Sequence, residues 1–411
     1  MKKTLTALAA LLALGTAAAA PAWITVGDDA LALVRAAEPQ AQLLSSRDVD
    51  VRVPRKRGSA ALVTATERVH AVQLDEAALP ALSLAVHEEL RRCGGFVRHD
   101  SMAEALAVLH RLRGEVTPEL APSYTIDDAA AVTPLLPQVQ ASQILATIEQ
   151  LASFQNRMYT STSGVAASDW LFNHWKTLAA GRSDVTVRQV KHRGWPQKSV
   201  SLVITGTGAN RAETVVLGGH LDSIASGPAE TVRAPGADDD ASGVASLTEV
   251  IRVLLASGWK PQRSVEFIAY AAEEVGLRGS QQIATQYARQ KKPVVGVLQL
   301  DMTAYQGDAT DLWLYTDYTN TAQNQFVAAL AAAYLPNLSV GFDRCGYACS
   351  DHASWTGRGF AASFPFEASF ANYNKTIHTP NDTTAAFGTQ ASHALKFAQL
   401  ALAFTVELAA D

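Results

Sequence analysis

His220 and Asp222 follow an apolar run at 214–219, Glu273 and Glu274 follow another at 265–270, and Asp301 follows a third at 294–300. Asp238, Asp239 and Asp240 stand just ahead of a helical pattern that begins at 241, and His378 lies in a late loop before Thr379-Pro380. Carboxylate oxygens mixed with imidazoles are the donor set of Zn²⁺ or a neighbouring first-row ion. A single acidic strand end is often only a solvated terminus, whereas His, Asp and Glu delivered by five segments to one sheet edge point to a metal centre. Carboxylates before a helix also suit its N-terminal dipole, and at least one of the three aspartates is expected to serve only there. His352 and His393 read as surface groups or as supports to ligands. His87-Glu88-Glu89 begins like a His-Glu-x-x-His zinc helix, but Arg91 takes the second histidine's place, so the run reads as a solvated helix face. No Gly-x-Ser-x-Gly elbow occurs, which lowers a serine hydrolase reading.

These residues converge only if the strand ends lie side by side. Strands are expected at 186–190, 200–205, 214–219, 265–270, 294–300, 312–315 and 361–365. Several are continuous apolar runs, as in strands buried on both faces. Helical spacing appears at 141–154, 168–180, 241–255, 280–289, 323–335 and 392–408. The alternation predicts an α/β fold, a mostly parallel twisted sheet with helices on both faces. In such sheets ligands bind outside the carboxyl ends of the strands, where these residues fall. Ahead of this lies a smaller stretch with strands at 48–53 and 96–99 and helices at 80–92 and 101–111. Residues 118–137 contain four prolines and read as a linker.

Composition narrows the function. Hydrophobic residues are 48% of the 411 and charged residues 18%, enough apolar material for a large core and against a disordered chain. The net charge of -5 argues against a nucleic-acid partner. Three cysteines cannot form an all-thiolate zinc site.

The runs Gly218-Gly219-His220-Leu221-Asp222-Ser223, Gly236-Ala237-Asp238-Asp239-Asp240-Ala241-Ser242-Gly243, Ala271-Ala272-Glu273-Glu274-Val275-Gly276-Leu277 and Leu300-Asp301-Met302 resemble those of the secreted bacterial leucyl aminopeptidases, which are two-zinc exopeptidases. The resemblance extends from about residue 141 to the C-terminus and takes in Cys345 to His352 and Ile377-His378. It implies a zinc-exopeptidase-like fold holding two Zn²⁺ ions, with Asp239 bridging them, His220 and Asp301 completing one site, and Glu274 and His378 the other. Asp222 would orient His220. Glu273, beside a ligand, is assigned as general base. Tyr347 would lie near the metals and donate a hydrogen bond to the oxyanion, pinned by a Cys345–Cys349 disulfide. An apolar pocket for the N-terminal side chain would comprise Met302, Tyr315, Phe364, Phe366, Phe370, Tyr373 and Ile377. Tyr315 stands where an aliphatic residue is usual and Phe364 where methionine is usual. Both narrow the pocket, so leucine-like side chains are expected to be preferred over large aromatic ones.

Lys2-Lys3, the apolar run at 5–14 and the small residues before 22 read as a secretory signal peptide over 1–22. Nothing later reaches a membrane-spanning apolar length. Residues 23–123 are expected to be a propeptide, an intramolecular inhibitor or chaperone, and 124–411 the catalytic domain. The protein is then expected outside the cytoplasm, extracellular or periplasmic, monomeric, with peptides as partners. Cys93 has no expected mate. Rival readings are a two-zinc carboxypeptidase or amide deacylase, a single-zinc aminoacyl cyclase, and a non-catalytic peptide-binding domain. The first rival needs a cation for a substrate carboxylate, and the candidates are Arg278, Arg344, Arg358 and Lys375.

Overall fold

The structure is a computed structural model that describes residues 20–90, 92, 94–111 and 124–410. Two sheets organise it. The first belongs to the N-terminal unit: β1 (Pro21–Gly27), α1 (Asp28–Ala37), β2 (Gln42–Pro54), β3 (Leu62–Asp75), α2 (Leu79–Leu90), β4 (Phe96–His99) and α3 (Met102–Arg111). Its strands run in the order β2-β3-β1-β4, all antiparallel. Side chains alternate across the sheet. Ile24, Val26, Val72 and Leu74 pack on Leu79, Leu82 and Val86 of α2, while Val49, Val69 and Ala71 pack on Ala105 and Leu109 of α3. The first strand begins at Pro21, so the expected boundary at residue 22 falls inside it.

After α4 (Ala129–Val132) come α5 (Ala141–Ser153), α6 (Thr162–Leu178), β5 (Val185–Val190), β6 (Ser199–Ile204), β7 (Thr214–His220), α7 (Ala241–Ala256), β8 (Ser264–Tyr270), α8 (Arg278–Arg289) and β9 (Val294–Gln299). The chain then forms β10 (Leu312–Tyr315), α9 (Thr321–Tyr334), β11 (Val340–Asp343), α10 (His352–Thr356), β12 (Ala362–Phe366) and α11 (Ser392–Ala409). The sheet order is β11-β10-β12-β9-β7-β8-β6-β5. Parallel pairs are β10 with β11, β12 with β9, and β7 with both β8 and β9; the other three are antiparallel. The α/β expectation of a mostly parallel, doubly covered sheet is met. Val215 and Leu217 of β7 face the core built with α5, α7 and α11, and Val216 between them faces α8 and α10. No helix among the described residues is long and apolar enough to cross a membrane.

Residues 124–139 are not a free linker. Val132, Leu135, Leu136 and Val139 are buried in the main core, and Tyr124 stacks on Phe326. Proline-rich sequence misled here because its apolar residues are spaced to cover helices, not to stay in solvent. Most of the expected signal segment, Cys93 and residues 112–123 lie outside the described residues.

Candidate metal centre

The central strands β9, β7 and β8 are parallel neighbours, so their carboxyl ends form one edge. Side chains follow at each end: His220 from β7, Glu273 and Glu274 after β8, Asp301 after β9. The N-terminus of α7 brings Asp239, and the loop after β12 brings His378. Backbone geometry turns these groups inward. Among the described residues, Ala272, Leu277, Met302 and His378 are four of the seven non-glycine residues with positive φ, the region that side chains rarely adopt. Such positions cluster where the surroundings hold a site in shape. The Asp239–Asp240 peptide is cis.

His220 Nε2 lies 3.0 Å from Asp239 Oδ1 and 3.5 Å from Asp301 Oδ1. His378 Nε2 lies 3.1 Å from Asp239 Oδ2 and 2.7 Å from Glu274 Oε2. Each oxygen of Asp239 therefore faces a different histidine. His220 Nε2, Asp301 Oδ1 and both oxygens of Glu274 are buried yet make no hydrogen bond of proper geometry. Donor atoms 2.7–3.5 Å apart, several of them buried without a hydrogen bond, are the imidazole and carboxylate set that Zn²⁺ takes. The donor set thus fits the metal that the sequence implied.

The carboxylates that do not face the centre hold backbone amides. Asp240 Oδ1 accepts from Gly243 N at 2.8 Å and Met302 N at 3.1 Å, and Oδ2 from His220 N at 2.9 Å. It caps α7, as one of the three aspartates was expected to, and ties together two ligand-bearing strand ends. Gly219 and Gly243 permit this closeness, since a Cβ at either would come within 3.1 Å of an Asp240 oxygen. Asp238 accepts from Ala304 N and Asn374 Nδ2. Asp222 Oδ1 lies 3.7 Å from His220 Nδ1, on the side expected of a residue that orients that ring. Its two carboxylate oxygens accept from Glu273 N (2.9 Å) and Glu274 N (3.2 Å), and its backbone carbonyl lies 3.1 Å from His220 Nδ1. A Nδ1–H donating to that carbonyl leaves Nε2 as the lone-pair donor.

Three further residues carry the site and were missed in the sequence. Asp382 accepts from Asp238 N and Asp239 N, one oxygen each, at 3.0 and 3.1 Å. Ser350 Oγ donates to Asp301 Oδ2 at 2.5 Å. Arg157, fully buried, donates to the carbonyls of Leu221, Pro235 and Gly236. None carries a sequence pattern of its own. His352 and His393 are not surface groups: both are buried, their Nε2 atoms 3.0 and 3.2 Å from the carbonyls of Asp317 and Glu367. Burial holds each imidazole down, to about 4.

Glu273 is fully buried and neither carboxylate oxygen has a hydrogen bond. Burial pushes its carboxyl well above the usual range; His220 opposes the shift, and Glu274, Asp351 and Asp301 add to it. Beside Asp301 lies a small cavity, about 280 Å³ including its open mouth. Met302, Tyr315, Phe364, Phe366, Phe370 and Tyr373 line it, with Cys345, Tyr347 and Cys349. Ile377 belongs to the same apolar cluster but not to the cavity wall. Cys345 and Cys349 form a disulfide, and Asp317 accepts from Cys345 N and Gly346 N, so the loop carrying Tyr347 is held at both levels.

Residues 201–404 match peptidase family M28. The chain is 36% identical over 304 residues to leucine aminopeptidase 1 of Grosmannia clavigera, covering 70% of this chain and 72% of that protein. A probable aminopeptidase of Saccharomyces cerevisiae is 35% identical, over 65% of this chain and 71% of its own. Among solved structures, the LapA aminopeptidase of Legionella pneumophila superposes with a TM-score of 0.76 at 30% identity, over 96% of this chain and 99% of that one.

Proposed function

The chain belongs to peptidase family M28 and is a zinc-dependent aminopeptidase, and from that premise we propose that it removes leucine-like apolar residues from peptide N-termini with two Zn²⁺ ions. One observation carries the metal count: Asp239 presents one oxygen to His220 and the other to His378. Two cations about 3.5–4 Å apart need such a bridging anion. His220 and Asp301 would complete one site, Glu274 and His378 the other. Bound there, the metals would lower the pKa of a water and polarise the scissile carbonyl. Glu273 takes the proton of that water and passes it to the leaving amine. Tyr347 donates a hydrogen bond to the carbonyl oxygen as charge develops. Asp222 fixes the Glu273–Glu274 backbone, so base and ligand keep separate directions.

The aromatic cavity receives the side chain of the N-terminal residue. The carboxypeptidase alternative is less well supported, because none of its candidate cations, Arg278, Arg344, Arg358 and Lys375, lines the cavity beside Asp301. Residues 1–22 serve as a signal peptide, 23–123 as a propeptide and 124–411 as the catalytic domain of an exported monomer. The small disulfide supports an oxidising compartment. Hydrolysis of leucyl-p-nitroanilide tests the reading. Activity is expected to vanish with chelator and return with Zn²⁺ at a metal content of two per chain. Retained activity in a metal-free chain, or cleavage only from the carboxyl end, would overturn it. The intact mass of the exported protein checks the processing.

A further inference from the structure

His87, expected on a solvated helix face, is buried, and its ring packs on that of His378 with centroids 4.3 Å apart. One turn earlier on α2, Ser83 Oγ donates to the backbone carbonyl of Glu274 at 2.5 Å. Residues four apart share a helix face. One face of α2 therefore touches the backbone of Glu274 and the ring of His378, the two residues proposed for the same metal. Two contacts continue past the helix. The Arg92 guanidinium lies 4.8 Å over the Tyr347 ring, and Gly94 is placed so that a Cβ there would lie 3.7 Å from Glu273 Oε1. The N-terminal unit thus covers the second metal's ligands, the base and the oxyanion residue, and Glu273 and His378 are shielded from solvent beneath it.

Resting on the aminopeptidase reading, we propose that His87 is an intramolecular ligand of the metal centre, taking the place of the substrate's amino end while the N-terminal unit is docked. Imidazole is the commonest protein metal ligand, and here Ser83 fixes the helix one turn away from a metal-binding glutamate. Docking is held by charge. Glu67 pairs with Arg344 at 2.7 Å and Glu104 pairs with Arg358, and none of the four is a proposed metal donor. Release of the N-terminal unit would expose the centre and free the coordination place at once.

The full-length chain loaded with Co²⁺ tests the ligand directly. His87→Ala is expected to change the visible Co²⁺ spectrum and to speed metal loss to EDTA; His87→Gln, closer in size and polarity, carries the same expectation if the alanine variant does not fold. Spectra and loss rates equal to those of the parent overturn the proposal. Separately, Glu67→Arg with Glu104→Arg is expected to raise leucyl-p-nitroanilide turnover of the uncut zinc chain about tenfold or more, by shifting the closed population. Adding Arg344→Glu and Arg358→Glu should reverse it. A parent chain already as active as the loosened variant overturns the closure. Should the His87 variants alter the Co²⁺ spectrum while no form cleaves any aminoacyl substrate, His87 stands as a ligand and the aminopeptidase reading falls.

Discussion

Glu273 and Glu274 are adjacent in sequence, yet only Glu274 reaches a histidine, its Oε2 lying 2.7 Å from His378. The amides of both are held by Asp222, and the left-handed turn at Ala272 lets neighbouring side chains diverge. On the proposed mechanism that divergence would separate ligand from base. Glu273→Ala is therefore expected to keep its zinc, read by metal analysis, while kcat falls about 10²–10⁴-fold, the usual worth of a positioned base. Near-normal kcat in a fully metallated variant would sink the assignment. Asp382 acts one layer out. Its replacement by alanine leaves the buried amides of Asp238 and Asp239 without their acceptor, at about 1–3 kcal/mol each. Zinc affinity, measured by chelator competition, should drop about 10–100-fold with the fold retained.

At the scale of elements, β10 and β12 pair antiparallel and set Tyr315 opposite Phe364. The Tyr315 hydroxyl donates to the Ala368 carbonyl at 3.2 Å, which holds its ring across the cavity, edge-on to Phe364. His352, from α10, stacks behind Phe364. Neither ring can move aside as a methionine would. Leucyl substrates are accordingly expected to exceed phenylalanyl ones in kcat/KM. Tyr315→Ile should raise the phenylalanyl to leucyl ratio by roughly tenfold, the scale of a few buried methylenes. A higher phenylalanyl value in the parent protein would contradict the steric account. Periodicity located β10 and β12 but not their pairing, because strands joined through α9, β11 and α10 carry no local record of being neighbours. Short β11 and α10 were not expected at all, since four or five residues hold too little pattern.

For the whole molecule, buried neutral histidines set the acid limit. His192, His352 and His393 are each held down to about 4 by burial, against an ordinary 6.5. An unfolded chain then binds more protons than the folded one between those values. Stability is full above about pH 6.5 and is lost as pH falls through that range to about 4. For fully buried His352 the shift corresponds to roughly 3 kcal/mol. His352→Gln should flatten the dependence of unfolding free energy on pH over that window by about one proton; an unchanged slope would refute the linkage. The two units of the molecule meet through Glu–Arg pairs whose glutamates all come from the N-terminal side. In the sequence these cations read only as candidates for a substrate carboxylate, because ion pairs spanning 202 to 277 residues leave no spacing to detect.

The amino-acid sequence by itself determined the metal chemistry and the sheet that presents it. Apolar runs ending in His220, Glu273-Glu274 and Asp301 read as strands buried on both faces, and their alternation with helices favours a parallel sheet whose carboxyl ends share one edge. Tertiary structure alone decided what lies over and under that edge. Asp382, Ser350 and Arg157 support it through hydrogen bonds between distant segments, and His87 came to rest on His378 instead of in water. Local periodicity reports whether a side chain faces its own element's polar side. Which other element later covers that side depends on docking, and there shape and charge from the far end of the chain have the final word.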